Sequence, residues 1–79
     1  MNIATIGIDI AKDVFQIHGV CRDGKVMVSR QLRRQQLLPY LRQLTPCTVG
    51  LEACPGAHYW ARQIAALGHD IRLLPPLVR

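Results

Sequence analysis

Apolar and small residues run almost unbroken from Ile3 to Ala11, the pattern of a central strand covered on both faces. From Val14 to Val20 the pattern alternates, with Phe15 and Ile17 on one side and Gln16 and His18 on the other, as in a strand with one wetter face. Cys21-Arg22-Asp23-Gly24-Lys25 carries an Asp-Gly hairpin signal, and a third strand follows from Val26 to about Leu32. Leu37, Leu38, Leu41 and Leu44 then fall at helical spacing. Proline is poorly tolerated inside a helix, so Pro39 predicts that the regular part starts near Leu38 with looser structure before it. Thr45-Pro46 ends that helix, and a fourth strand runs from Cys47 to Ala53.

After Pro55-Gly56 a second helix is predicted from Ala57 to Leu67. Its stripe is Trp60, Ile64 and Leu67, with Ala57, Ala61 and Ala65 permitting close packing and Gly68 as C-terminal cap. Asp70 to Leu74 reads as a fifth strand stopped by Pro75-Pro76. Leu77-Val78-Arg79 brings no capping or polar tail, so residues 1–79 read as one small, truncated α/β domain: an antiparallel three-stranded meander, then two crossover units joining parallel strands.

At 79 residues the core will be thin, while 49% hydrophobic content excludes a disordered class and leaves apolar surface for a partner or a further segment. No apolar run approaches the roughly 20 residues of a membrane span and no signal peptide is evident, so a cytoplasmic protein is expected. Cys21, Cys47 and Cys54 form no Cys-x-x-Cys pair and read as reduced thiols. His18, His58 and His69 lack the clustering of a zinc site. A formal charge of +5 favours a polyanionic partner such as nucleic acid.

The candidate chemistry lies in two acids. Asp9 ends the apolar run Ile6-Gly7-Ile8-Asp9, and Glu52 repeats the arrangement in Val49-Gly50-Leu51-Glu52. Only five acidic residues stand against ten basic ones, and placing two of them in the most hydrophobic stretches is costly unless a cation or proton compensates each. If the fourth strand returns beside the first and parallel to it, both carboxylates reach one edge of the sheet on strands about 4.8 Å apart, where they could bind magnesium. The bland alternative is a turn aspartate and a solvated edge glutamate. Asp13 reads as a turn residue. Lys12 either meets a DNA phosphate or balances the acids, and Arg33, Arg34 and Arg42 either track a nucleic-acid backbone or form a solvated helix face. Tyr59 and Trp60 offer base-stacking rings, although Trp60 lies on the apolar stripe of a core residue.

Three blocks extend this reading. Residues 6–15 (Ile-Gly-Ile-Asp-Ile-Ala-Lys-Asp-Val-Phe), residues 50–62 (Gly-Leu-Glu-Ala-Cys-Pro-Gly-Ala-His-Tyr-Trp-Ala-Arg) and residues 68–76 (Gly-His-Asp-Ile-Arg-Leu-Leu-Pro-Pro) together resemble the N-terminal part of the insertion-sequence 110 family of transposases. The resemblance implies a RuvC-like, ribonuclease H-type domain that cleaves and joins DNA with Mg2+ held by an Asp-Glu-Asp-Asp tetrad. Asp9 and Glu52 match its first two acids; the last two come after the Pro-Pro block and are absent here. It also implies a structured guide RNA and a homo-oligomeric assembly, and half a tetrad implies that the chain alone neither cuts nor joins DNA.

Two other classes compete. An actin-like or sugar-kinase ATPase also begins with a Gly-Ile-Asp strand, but its phosphate loop wants small hydroxyl residues where Ala11-Lys12-Asp13 stand. A non-catalytic association module would pair through its strand edges and uncovered apolar surface.

Overall fold

The computed structural model describes residues 3–11 and 13–75. Five strands and two helices follow in the order β1 (Thr5–Ile10), β2 (Val14–Val20), β3 (Val26–Arg33), α1 (Arg34–Arg42), β4 (Thr48–Glu52), α2 (Ala57–Ala66) and β5 (Asp70–Leu74). They build one mixed sheet of order β3-β2-β1-β4-β5. The first three strands form the expected antiparallel meander, and β4 runs parallel to both β1 and β5. The chain is an α/β protein with both helices serving as crossovers between strands. Among the described residues, no helix is long and apolar enough to cross a membrane.

The period of two along each strand sorts the sheet into unlike faces. Ile6, Ile8, Phe15, Ile17, Leu32, Val49 and Leu51 are buried on one face, where they meet Leu37 and Leu41 of α1 and Ala57, Trp60, Ala61 and Ile64 of α2. Phe15 and Trp60 pack edge to face with ring centroids 5.0 Å apart. Trp60 is therefore a core residue, while Tyr59 is exposed. Ala65, expected at the packing seam, is also exposed.

The second face is open, which corrects the expectation of a first strand covered on both sides. β1 is central, yet Thr5 and Asp9 are exposed and Gly7 only half-buried. Its sequence is an alternation whose solvent-side members include the small residues Gly7 and Ala11, so it reads as a continuous apolar run.

α1 also departs from expectation, because it runs from Arg34 straight through Pro39. Pro39 cannot donate to the carbonyl of Gln35, but Gln35 lies on the exposed side where water can serve that carbonyl. Leu37 and Leu41, both fully buried, hold the helix in place, and the Arg33 amide donates to Gln36 Oε1 at 2.9 Å to cap its start. Tertiary packing outweighs the local preference. At the hairpin, Gly24 takes φ +89° and its N–H donates to Cys21 O at 3.0 Å. Gly68, at φ +100°, ends α2 by donating to Ala65 O at 3.0 Å, which is the expected cap.

His69 is buried and ties three segments together. Its Nδ1 accepts the Cys47 N–H at 3.2 Å while Nε2 lies 2.7 Å from Leu41 O, so the ring is the neutral tautomer with its proton on Nε2. The Leu41 carbonyl belongs to the last turn of α1, and Cys47 leads directly into β4. The ring thus fixes where the strand bearing Glu52 begins.

Candidate functional site

The parallel pairing of β1 and β4 sets Gly7 opposite Gly50 and Ile8 opposite Leu51. One step further along the same register come Asp9 and Glu52, each at or next to the C-terminal end of its strand. Both side chains belong to the open face, since their neighbours Ile8 and Leu51 are buried beneath the helices. A cavity of about 400 Å³ lies there, lined by Gly7, Ile8, Asp9, His18, Gly50, Glu52, Leu74 and Pro75.

The floor of this cavity is bare backbone at Gly7 and Gly50. A Cβ at Gly7 would meet nothing within 4 Å, whereas one at Gly50 would lie 3.3 Å from the Leu74 side chain, which leans across from β5. His18 stands on the other side, paired with Gly7 across β1 and β2. Asp9 is exposed and Glu52 half-buried. Neither carboxylate is hydrogen-bonded or ion-paired to another described residue; the one ion pair among those residues joins Arg72 to Asp70 at 3.2 Å on the exposed surface. Two unpartnered carboxylates on adjacent strands offer hard oxygen donors to a divalent cation. No third His, Cys, Asp or Glu joins them among the described residues, so water or further ligands would have to complete such a site.

The other candidates are dispersed. Arg33 ends β3 on the open face, opposite Val14 and two strands from β1. Arg34 instead lays its guanidinium 5.5 Å from the Trp60 ring centroid, on the helical side. Arg42 is exposed in the last turn of α1, where its charge faces the negative end of the helix dipole. Asp13 is exposed after β1, and Lys12 lies outside the described residues. The three cysteines are free, and burial pushes the Cys47 thiol up from its ordinary pKa.

His18 is the cavity residue that motif reasoning passed over. Zinc clustering among the histidines gives it no role, but the short connection between the first two predicted strands could have located it, because antiparallel pairing of β1 with β2 brings His18 beside Gly7.

Fold and site together define an α/β chain with a central pair of strand-end carboxylates facing an uncovered sheet surface. No protein-family model matches it. Along nearly its whole length, however, the chain is similar to insertion-sequence transposases. It is 54% identical over 76 residues to a probable family 20 transposase of Pseudomonas aeruginosa, a match covering 96% of this chain and 22% of that protein. It is 40% identical over 75 residues to the transposase for insertion sequence element IS1328 of Yersinia enterocolitica, covering 95% and 22%. The transposase for insertion sequence element IS1111A of Coxiella burnetii is 39% identical over 75 residues, covering 95% and 21%. The chain spans about one fifth of the length of the curated relatives it matches.

Proposed function

We propose that this chain forms the first half of a ribonuclease H-like, RuvC-type catalytic domain of a DNA transposase, with Asp9 and Glu52 as magnesium ligands. The observation that carries the reading is the shared cavity: two acids 43 positions apart in sequence line one recess at the ends of adjacent parallel strands. The strand order β3-β2-β1-β4-β5, with an antiparallel meander first and parallel crossovers after it, supports this reading. Similarity to transposases at 39–54% identity supports the same assignment.

The donor set suits Mg2+, which is commonly held by one or two carboxylates with waters and substrate phosphates completing its shell. When bound, the ion would activate an attacking water or sugar hydroxyl and neutralise charge at the phosphate being cleaved or joined. The chain's own residues anchor and orient. Asp9 and Glu52 are set side by side by the β1–β4 register, and the glycine floor keeps the approach to them open. With two acids of four, the chain by itself neither cuts nor joins DNA. For the longer protein, DNA as substrate, a structured guide RNA, a homo-oligomeric assembly and a cytoplasmic location belong to the same proposal.

Amide NMR titration with MgCl2 tests it. The resonances of Asp9 and Glu52 should move together and saturate, Asp9→Asn should abolish both movements, and supercoiled plasmid should stay intact throughout. Failure of the two to respond jointly at millimolar Mg2+, or plasmid nicking by the chain that Asp9→Ala removes, would overturn the proposal.

A further inference from the structure

We propose that His18 is a substrate-contacting residue of the same cavity, its imidazole donating a hydrogen bond to a non-bridging phosphate oxygen of the strand bound at Asp9 and Glu52. This rests on the reading of the cavity as a nucleic-acid phosphodiester site. It adds a third functional side chain that neither the carboxylate pattern nor the relatives assign.

The register fixes where the ring stands. Asp9 pairs with Gln16 and Gly7 with His18, so His18 is the diagonal neighbour of Asp9 on the open face. Diagonal neighbours in an antiparallel pair lie about 7–8 Å apart. At that spacing long and aromatic side chains still reach one another, yet the imidazole and the Asp9 carboxylate share no hydrogen bond, and one phosphodiester can reach both. Glu52 lies one strand further, across the floor formed by Gly7 and Gly50.

Two local choices at this point lack a reason in the fold. Glycine in the middle of a strand weakens it, and Gly7 has ordinary negative φ and empty space where a Cβ would stand, so neither backbone geometry nor packing demands it. His18 is exposed and makes no hydrogen bond to another described residue, and its two cross-strand partners, Gly7 on β1 and the small Ser29 on β3, give its ring little to pack on. Both choices make sense if the space over Gly7 belongs to an occupant. A side chain at position 7 would stand between the imidazole and the carboxylates, whereas glycine leaves a continuous recess with the acids at one end and a nitrogen donor beside it. The chemistry that recess recognises is an anion which also ligates a divalent cation, and a phosphodiester meets both conditions. The alternative occupant, a further segment of a longer chain lying across the face, would leave His18 no role in binding.

The test is fluorescence anisotropy with a labelled single-stranded oligonucleotide in MgCl2, using the full chain, His18→Ala, His18→Gln and Asp9→Asn. Urea midpoints of the His18 variants should match the parent, since the ring is exposed. His18→Ala should weaken binding about tenfold, the scale of one hydrogen bond to a charged group, and His18→Gln should recover part of it. With a methylphosphonate oligonucleotide, whose uncharged linkage keeps one non-bridging oxygen as a weaker acceptor, the difference between the parent and His18→Ala should shrink to a few-fold or less. Asp9→Asn should remove the magnesium dependence of binding while leaving the effect of His18 visible. Equal affinity of the parent and His18→Ala, with the Asp9→Asn effect intact, overturns the role of His18 and spares the function proposed above. Absence of binding by the parent, or binding indifferent to both magnesium and Asp9, overturns both.

Discussion

His69→Ala is expected to be among the most damaging single substitutions outside the apolar core. The ring is 5% exposed and makes two buried hydrogen bonds, to the Cys47 N–H and to the Leu41 carbonyl. Deleting it leaves the Cys47 N–H without an acceptor, a cost of about 1–3 kcal/mol. The Leu41 carbonyl suffers less, because the Leu44 N–H still donates to it at 3.2 Å, and about 0.5–1 kcal/mol covers that share. The cavity left by the ring adds about 1 kcal/mol. The sum, about 2.5–5 kcal/mol, is a large part of the roughly 4–12 kcal/mol expected for a domain of this length.

Urea denaturation followed by circular dichroism reads this directly. With an m-value near 1 kcal/mol/M, the midpoint should fall by about 2.5–5 M, or the chain should fail to fold. Two further substitutions separate the bonds. His69→Asn places an acceptor where Nδ1 stood and His69→Gln places a donor near the former Nε2, so stability should rank Asn above Gln above Ala. The Cys47 bond decides that order, since Cys47 N–H has no substitute partner. A loss below about 0.5 kcal/mol for His69→Ala, the range of an ordinary surface change, would refute the account of the ring as a tie between α1 and β4.

Pro39→Ala should stabilise the chain by about 1–2 kcal/mol in the same assay, because alanine restores the N–H that donates to Gln35 O and this outweighs the added freedom of the unfolded chain; destabilisation would show that the ring itself packs. At pH 8 a thiol reagent should modify the half-buried Cys21 and Cys54 long before Cys47, whose burial keeps its thiol protonated, and equal rates would contradict the packing of β4. The folded value for Cys47 is raised above the ordinary 9.0, so its stabilising contribution is present below pH 9 and is lost as pH rises through the folded value. Unfolding in urea should become easier above pH 9, and less steeply so in Cys47→Ala.

The sequence alone determined the elements and their type. Hydrophobic period, the Asp-Gly turn and the glycine cap at residue 68 are local signals, and the structure has strands and helices where they point, including β5 at Asp70–Leu74. The two acids were legible as well, because a carboxylate inside an apolar run is conspicuous wherever it falls. Tertiary structure decided the rest. Only packing could show that Pro39 stays inside α1, since buried Leu37 and Leu41 impose a helix that local preference opposes. Only the pairing of strands could reveal that one face of β1 is uncovered, because small residues hide an alternation from any reading along the chain. The recess joining Asp9, Glu52 and His18 is likewise a product of register: three residues on three strands have no mutual spacing in sequence, and hydrogen bonding between neighbouring strands is what sets them on one face.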